Sequence, residues 1–203
     1  MAKERLGVLC SGRGTDLQSI IDAIGRGEVA GEIAVVLADR EGAYALTRAR
    51  EAGIPAACID RKAYERRELF EEALIAALEE AGVTLVVLAG FMRILTPLFV
   101  RHFTGRILNI HPALLPSFPG AHAHRDVLAY GVKVSGCTVH FVDEGTDSGP
   151  IILQAAVPVL DGDTEETLGA RVLEQEHILY PKAIQLYCEG KLRVEGRHVR
   201  IIE

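Results

Sequence analysis

The sequence predicts a doubly wound α/β fold, in which a mostly parallel sheet carries antiparallel additions in the C-terminal half. Three observations support this prediction. Short apolar runs alternate with helix-like segments through the first half, several of those segments end in glycine, and the second half has β-rich stretches beside one long amphipathic helix. Alternating strands and helices are typical of a parallel sheet with helices on both faces, and glycine is favoured where helices end.

The strands of the first half are indicated by short runs that are apolar enough to be buried on both faces of a parallel sheet. These runs span residues 6–10, 33–38, 56–59, 84–89 and 106–110. The intervening segments repeat apolar residues at helical spacing. They predict helices over residues 15–27, 43–53, 63–82 and 97–103.

The second half begins with a proline-rich loop at residues 112–120, followed by a short helix over 124–130. Two β-rich stretches, a long amphipathic helix and two short strands that turn at Gly196 and Arg197 complete the chain. In order, these elements span residues 137–142, 151–157, 164–189, 192–195 and 199–202. No repeat, low-complexity tract or linker divides the sequence, so we expect residues 1–203 to form one domain.

The composition predicts a soluble cytoplasmic enzyme and does not exclude a small anionic ligand. Of the 203 residues 49% are hydrophobic, and the formal net charge is −6 without a long basic run, which argues against a nucleic-acid partner. No apolar stretch could span a bilayer, and the apolar run near the N-terminus is too short for a signal-peptide core. The four scattered cysteines favour a reducing compartment. Whether the protein is a monomer or a homodimer stays open.

A glycine-containing turn between the first strand and the first helix is the first candidate site. It contains Gly12, Arg13, Gly14, Thr15 and Asp16. Glycines let backbone N–H groups face outward and a helix N-terminus adds partial positive charge, so this turn is suited to a phosphate that approaches the backbone at Gly14. Arg13 could add a charged contact. The alternative is a tight turn in which Thr15 or Asp16 only caps the helix.

Asn109 and His111 form the second candidate site, at the C-terminal end of a predicted central strand. Open α/β sheets bind their ligands outside such strand ends, and residues two apart on a strand point to the same side. The Asn109 amide can stabilise a developing oxyanion, and His111 can accept or donate a proton near neutral pH. A hydrogen-bonded structural histidine is the alternative.

The third candidate site is the loop over residues 143–150, where acids and hydroxyls lie between glycines. Its pattern lacks the ligand order of an EF-hand, so we do not expect calcium. A carboxylate from this loop beside His111 would orient the imidazole ring and favour its charged form. The alternatives are a solvated polar loop and a weak cation site.

Other polar residues carry weaker expectations. His122 and His124 lack an acid or cysteine at ligand spacing, so no zinc site is predicted. His140 falls within a predicted strand and is expected to be a core histidine bonded to a neighbour. Residues 91–95 are predicted to belong to the core, with the Arg93 side chain reaching out to solvent.

Taken in order, these segments resemble the glycinamide ribonucleotide formyltransferase family over nearly the whole chain. The matching segments read SGRGTDLQSIIDAI, RAREAGIPA, VVLAGFMRILTPLFV, GRILNIHPALLPSFPGAHAHRDVLAYG, GCTVHFVDEGTDSGPIILQ and RVLEQEHILYP. Asn-x-His-Pro with a distant Asp-x-Gly-Pro is specific to the folate-dependent formyl-transfer superfamily. The glycine loop and the helix containing QEH narrow the resemblance to this family. It implies a Rossmann-like formyltransferase domain that acts in purine biosynthesis.

The resemblance also implies a reaction. The amine of glycinamide ribonucleotide would attack the formyl carbon of 10-formyltetrahydrofolate, a co-substrate of one-carbon metabolism, and form a tetrahedral intermediate with a negative oxygen. Asn109 and protonated His111 would stabilise that oxygen, and Asp147 would hold His111 in its charged form. The proton would travel through His111 or a water molecule near Asp147, and no metal is required.

The same resemblance implies the residues that bind each substrate. The ribonucleotide would contact Gly12, Arg13, Gly14, Thr15, Asp16 and Glu176. The folate would contact Arg67, Met92, Arg93, Ile94, Leu95, Asn109, Val142, Asp143 and Asp147. One departure concerns the loop, which commonly ends Ser-Asn-Leu in the family and here reads Thr-Asp-Leu. A carboxylate near a phosphate is unfavourable, so we expect the Asp16 side chain to turn away and cap the helix, leaving its backbone N–H toward the ligand.

Three alternative functions remain at this point. Methionyl-tRNA formyltransferase carries an extra C-terminal domain, and formyltetrahydrofolate hydrolase, which transfers the formyl group to water, usually carries an N-terminal regulatory domain. We expect neither domain in this chain. A non-catalytic nucleotide- or folate-binding module is the third alternative, although binding alone does not require Asn109, His111 and Asp147 together.

Overall fold

The computed structural model describes residues 3–203, so the first two residues of the expected domain lie outside the described part. Nine strands and six α-helices occur within that part. In chain order they are β1 (Arg5–Cys10), α1 (Thr15–Gly25), β2 (Glu32–Ala38), α2 (Tyr44–Glu51), β3 (Ala56–Cys58), α3 (Arg67–Glu80), β4 (Leu85–Leu88), α4 (Pro97–His102), β5 (Ile107–His111), α5 (Ala123–Tyr130), β6 (Val134–Phe141), β7 (Ile151–Pro158), α6 (Glu165–Cys188), β8 (Leu192–Glu195) and β9 (His198–Ile201).

The strands form one sheet with the order β3-β2-β1-β4-β5-β6-β7-β9-β8. The five strands from β3 to β5 are parallel to their neighbours. Strands β6 and β7 continue the sheet in antiparallel pairing, and β8 and β9 form a terminal antiparallel pair at the far edge. The predicted fold class, a mostly parallel sheet with antiparallel additions in the C-terminal half, is confirmed.

The apolar strands separate two hydrophobic layers. On β4, Val86 packs with Phe70 on one face, and Val87 packs with Leu17 on the other. Helices α3 and α4 cover the first face, while α1 and α6 cover the second. Successive strand residues point to opposite faces, so a strand covered on both sides must be apolar throughout. This explains why the first-half strands appear in the sequence as continuous apolar runs.

Helix α6 crosses the second face and is the longest helix, with 24 residues. A capping box starts it, because the Thr164 side chain accepts from the Thr167 N–H and the Thr167 hydroxyl accepts from the Thr164 N–H. The fully buried Tyr180 hydroxyl lies 2.8 Å from the Leu88 carbonyl and 3.0 Å from the Leu108 carbonyl, so α6 is tied to β4 and β5. Within residues 3–203, neither α6 nor any other helix has the length and apolarity for a membrane crossing.

The structure corrects the single helix predicted over residues 63–82. A 3₁₀ turn spans Arg61–Ala63, Tyr64 is extended, and α3 starts only at Arg67. The Asp60 side chain accepts from the Lys62 N–H at 2.9 Å and so caps the short turn. Tyr64 then packs edge-on against Phe70, with ring centroids 5.9 Å apart. This aromatic contact accompanies the break in the helix, and helical periodicity could not have revealed it.

Candidate active site

The carboxyl ends of the parallel strands meet at one edge of the sheet, where the candidate residues lie. Ser11 follows β1, Asp39 follows β2, Met92 lies in the segment after β4, and His111 ends β5. The Met92 N–H donates to the Ser11 hydroxyl at 2.9 Å, which joins two of these segments. Ligands bind outside such strand ends in open α/β sheets.

Asn109 lies on β5 directly opposite His140 on β6. The Asn109 Nδ2 atom lies 3.1 Å from His140 Nε2, and His140 Nδ1 lies 2.8 Å from the Phe141 carbonyl oxygen. Because a carbonyl can only accept, Nδ1 carries the His140 proton and Nε2 accepts from the Asn109 amide. Burial lowers the pKa of His140, which favours this neutral ring. His140 therefore orients the Asn109 amide, and one of the two amide N–H bonds remains available.

His111 is buried and both of its ring nitrogens face acceptors. Nε2 lies 2.7 Å from the Phe118 carbonyl oxygen, and Nδ1 lies 3.4 Å from Asp147 Oδ2. That carboxylate oxygen also accepts the Gly120 N–H at 2.8 Å. A ring with protons on both nitrogens satisfies both acceptors. The structure thus brings Asn109, His111 and Asp147 into one cluster, with Asp147 Oδ1 also 3.8 Å from His140 Nε2.

The loop over residues 143–150 is folded against β6. Asp143 Oδ1 accepts the Gly145 N–H at 3.1 Å and the Ser148 hydroxyl at 2.5 Å, so this carboxylate serves its own loop. A Cβ atom on Gly149 would lie 1.7 Å from the Phe141 carbonyl oxygen. Only glycine permits this approach, which brings the loop close enough for Asp147 to reach His111.

The turn before α1 has satisfied carbonyl groups and unpartnered N–H groups. Arg40 donates to the Ser11 carbonyl, the Ala45 N–H to the Gly12 carbonyl at 3.1 Å, and Arg48 to the Arg13 carbonyl at 2.8 Å. Within residues 3–203, the N–H groups of residues 12–14 and of the first three residues of α1 have no acceptor. Six donors at a helix N-terminus form an environment suited to an anion.

The structure changes the interpretation of two residues in this turn. Gly14, in the left-handed region with φ 71°, caps α1 without any side-chain hydrogen bond, so the alternative in which Thr15 or Asp16 caps the helix is wrong. A Cβ atom on Gly14 would lie 2.7 Å from Ala45 Cβ. A side chain at position 14 would therefore point toward α2. The sequence instead led us to expect glycine here because the backbone comes close to a ligand.

The Asp16 side chain turns toward α6. The expectation that it would cap α1 is therefore wrong. One carboxylate oxygen, Oδ1, is buried without a hydrogen-bond partner and lies 3.7 Å from His177 Nε2. The neighbouring Glu176 is only 7% exposed. Burial raises the pKa of Asp16 to about 6, and burial with the nearby Asp16 charge raises the pKa of Glu176 to about 8. Both shifts arise from burying carboxylates without donors.

The predicted folate segment divides into exposed, paired and buried side chains. Met92 and Ile94 are 65% and 61% exposed, so the expectation that they belong to the core is wrong, whereas Leu95 is buried in the core. The Arg93 side chain is 44% exposed, as expected, and it also forms an ion pair with the buried Asp39. The pairing of Arg93 could not be predicted, since it depends on two strand ends meeting.

Val142 and Arg67, two other residues expected to contact the folate, have different surroundings. The half-buried Val142 donates its N–H to the Ile107 carbonyl at 3.0 Å, which holds the end of β6 against β5. The Arg67 side chain is exposed at the start of α3 and makes no hydrogen bond or ion pair within residues 3–203, so no such contact links it to the cluster around His111. The part of the chain that the structure describes contains no group of three histidines, cysteines or acids placed to hold a metal ion.

The structure also adds residues that the sequence interpretation missed. The Ser11 hydroxyl holds Met92, and Asp39 holds Arg93. His140 is the expected buried histidine bonded to neighbours, and its role in orienting Asn109 is what the sequence did not indicate. A groove of about 280 Å³ begins beside Thr15 on the outer side of α1, and none of Asn109, His111 and Asp147 lines it. Its lining residues are Thr15, Gln18, Ser19, Asp22, Arg26, Arg48 and His177.

Comparisons with known proteins agree with this geometry. Residues 4–184 match the formyl transferase family. The chain is 46% identical to Escherichia coli phosphoribosylglycinamide formyltransferase over 92% of this chain and 88% of that protein. It superposes on the crystal structure of glycinamide ribonucleotide transformylase 1 from Symbiobacterium toebii with a TM-score of 0.97 and 55% identity, covering 99% of this chain and 95% of that one.

A second group of relatives is much longer. The chain is 50% identical over 95% of its length to the trifunctional purine biosynthetic protein adenosine-3 of Gallus gallus. It spans only 14% to 20% of the length of the trifunctional relatives it matches.

Proposed function

Because the chain belongs to the formyl transferase family, we propose that it transfers the formyl group of 10-formyltetrahydrofolate to the amine of glycinamide ribonucleotide, in purine biosynthesis. The observation that carries this proposal is the cluster of Asn109, His111 and Asp147 at the carboxyl edge of the sheet. An amide donor, an imidazole and a carboxylate are the groups that acyl transfer to an amine needs, and here His140 links the amide of Asn109 to the His111–Asp147 pair.

The chemical step begins when the amine nitrogen attacks the formyl carbon. A C–N bond forms, the formyl C=O becomes a negatively charged oxygen, and the C–N bond to the folate then breaks as that oxygen returns its electrons. The second N–H of Asn109 donates to the charged oxygen, while the first is held by His140. Such a donor acts mainly in the transition state, because charge on the oxygen develops only there.

His111 and Asp147 support the same intermediate. An imidazolium at His111 donates from Nε2 to the Phe118 carbonyl and faces the Asp147 carboxylate through Nδ1, so its positive charge is compensated. That charge stabilises the nearby oxyanion. The amine releases one proton and the departing folate nitrogen gains one, and either His111 or a water molecule beside Asp147 carries it.

Each substrate contacts its own set of residues around this cluster. The phosphate of the ribonucleotide accepts from the N–H groups of the turn that includes Gly12, Arg13, Gly14, Thr15 and Asp16, and Glu176 contacts the same substrate. The folate co-substrate contacts Met92, Arg93, Ile94 and Leu95. It also contacts Arg67, Asn109, Val142, Asp143 and Asp147. The reducing cytoplasm is the proposed compartment, because Cys10, Cys58, Cys137 and Cys188 are all free thiols.

The test is a comparison of formyl acceptors. The purified protein is mixed with 10-formyltetrahydrofolate and glycinamide ribonucleotide, water alone, or methionyl-tRNA, and the loss of formyl-folate is followed. We expect turnover with the ribonucleotide that exceeds the rate with water or tRNA by several orders of magnitude. Equal loss with water alone would instead identify a formyltetrahydrofolate hydrolase. An Asn109→Leu and His111→Ala double variant supplies the matched background.

A further inference from the structure

A buried carboxylate holds an arginine side chain at the carboxyl edge of the sheet. Asp39 directly follows β2, and its side chain is only 1% exposed. Its Oδ2 atom accepts from Arg93 Nε at 2.5 Å, and Arg93 lies in the segment after β4. Within residues 3–203 this is the only hydrogen bond to the carboxylate, because Oδ1 is buried without a partner. The ion pair spans the end of β1, which lies between β2 and β4 in the sheet.

The main chain on both sides of Arg93 is held by other residues. Before Arg93, the Met92 N–H donates to the Ser11 hydroxyl at 2.9 Å. After it, the Thr96 N–H donates to the buried Glu71 carboxylate at 2.8 Å. The ion pair therefore does not have to fix the backbone of this segment, and what it adds is a fixed position for the guanidinium group.

The guanidinium of Arg93 keeps most of its donors free. Its ion pair uses Nε alone, and Nη1 and Nη2 have no acceptor in the part of the chain that the structure describes. The side chain is 44% exposed, and Met92 and Ile94 on either side of it are exposed as well. A cation with free N–H groups beside exposed apolar side chains suits a ligand that joins oxygen acceptors to an aromatic body. A folate has this chemistry.

Stability alone gives a poor explanation for the buried Asp39. A buried charge is costly unless its oxygens are satisfied, and a well-packed apolar residue is often at least as stable. Asp163, a carboxylate that is 4% exposed, shows what a satisfied structural acid looks like. Both of its oxygens accept hydrogen bonds, from Leu160, Thr167 and Arg171. Half of the Asp39 carboxylate lacks a donor, so its burial calls for a role beyond holding the fold.

We propose that Asp39 is a positioning residue, which fixes the Arg93 side chain in the orientation that receives the folate co-substrate. The identity of this ligand rests on the proposed function. Binding to a mobile arginine requires the ligand to immobilise a long side chain, whereas an arginine already held by a carboxylate does not incur that cost. Loss of the preordered side chain corresponds to roughly a 2- to 12-fold loss of affinity.

The test compares two substitutions at position 39. Asp39→Asn keeps an oxygen that can accept from Arg93 Nε, and Asp39→Leu has a similar shape without any acceptor. Both variants remove the negative charge, so a pure charge effect on an anionic ligand is the same in both. Binding of tetrahydrofolate to the purified full chain is measured by isothermal titration calorimetry. We expect the Kd of Asp39→Leu to exceed that of Asp39→Asn by roughly 2- to 12-fold, and equal Kd values would overturn the proposal.

A second comparison locates the effect on Arg93. In an Arg93→Met background the acceptor at position 39 has nothing to hold, so Asp39→Leu and Asp39→Asn should bind tetrahydrofolate equally. These double variants remove both charges and leave no buried carboxylate unpaired. If leucine proves too large for the site, Asp39→Ala removes the same acceptor and takes its place in both comparisons. A difference between the two variants that persists without Arg93 would show that Asp39 acts by another route, and would refute the positioning role.

The matched control is Asp163→Asn, which alters another buried carboxylate paired with an arginine. It should reduce stability and leave tetrahydrofolate affinity unchanged.

Kinetics separate positioning from general damage. The KM for 10-formyltetrahydrofolate should follow the Kd values, while kcat and the KM for glycinamide ribonucleotide stay within about twofold of wild type. Parallel losses for both substrates would indicate a disturbed sheet edge and contradict the proposal. Tetrahydrofolate binding without formyl transfer to the ribonucleotide would refute the proposed function and leave the role of Asp39 to the binding comparison. Normal transfer with equal Kd values in the two variants would refute only the role of Asp39.

Discussion

Gly14 combines a left-handed backbone with close packing on α2, and its replacement by alanine gives a quantitative test. Its φ of 71° lies in the left-handed region, and an added Cβ would lie 2.7 Å from Ala45 Cβ and 2.8 Å from Ala45 Cα. Gly27 has the same backbone conformation, with φ 74°, but a Cβ there would meet nothing within 4 Å. Comparing Gly14→Ala with Gly27→Ala therefore distinguishes the cost of backbone strain from the cost of overpacking.

We expect the two variants to lose different amounts of unfolding free energy. A non-glycine residue in the left-handed region costs about 1–2 kcal/mol, and this cost applies to Gly27→Ala and Gly14→Ala alike. Overpacking against Ala45 adds about 1–3 kcal/mol at Gly14 only. The entropy that alanine removes from the unfolded chain is common to both variants and cancels in their comparison. Gly14→Ala should thus lower the free energy of unfolding by about 2–5 kcal/mol, and Gly27→Ala by about 1–2 kcal/mol.

Urea denaturation of the wild type and both variants, with the slope of each transition compared, measures these differences. Adding Ala45→Gly to Gly14→Ala removes the Cβ contact and should recover part of the loss, although the Ala45 backbone still lies close. Equal losses in Gly14→Ala and Gly27→Ala would refute the packing of the turn on α2. Ribonucleotide affinity is not the readout here, because displacement of α2 would disturb the turn whatever ligand it binds.

Three further predictions concern His111 and Asn109 in the cluster, and the buried carboxyl group of Glu176. His111→Ala should leave a folded protein whose kcat is lower by about 10²–10⁴, and near wild-type kcat would remove His111 from the mechanism. Asn109→Leu should lower kcat by about 10²–10³ and change KM far less, and steady-state kinetics showing the opposite split would make Asn109 a ground-state binding residue. For stability, the folded Glu176 keeps its proton to about pH 8 whereas the unfolded residue loses it near 4.5. The free energy of unfolding should therefore fall between pH 5 and pH 8 in the wild type relative to Glu176→Gln, and parallel urea midpoints would contradict this.

Much of the fold was predictable because strand burial and helix periodicity are local properties of the sequence. The continuous apolar run at β4 required two covered faces, and the core alternates across it through Val86 and Val87. The break before α3 was missed because the capped turn after Asp60 and the contact between Tyr64 and Phe70 leave no mark on the helical pattern. The hydrophobic pattern of the sequence thus identified the strands and helices, whereas the start of α3 could not be located from that pattern.

The candidate site was predictable only in part. Asn109 and His111 could be placed on one side of a strand end by their spacing, and the loop carrying Asp147 was a candidate partner for His111. The partnership of Asn109 with His140 depends on the antiparallel register between β5 and β6, which no sequence pattern specifies. The same limit applies to Asp39 with Arg93 and to Asp16 beside α6, since each contact joins elements distant in the chain.

The satisfied carbonyl groups of the turn before α1 have a consequence for the speed and energetics of binding. Arg40, the Ala45 N–H and Arg48 already hold three successive carbonyls, so the turn is fixed before any ligand arrives. A phosphate that docks on the opposing N–H groups does not have to order the loop, and the entropy cost of loop ordering is absent from the binding free energy. Association should then approach the rate of diffusive encounter and not wait for a loop rearrangement. Substituting Arg48, which donates to the Arg13 carbonyl, should slow association by loosening the turn.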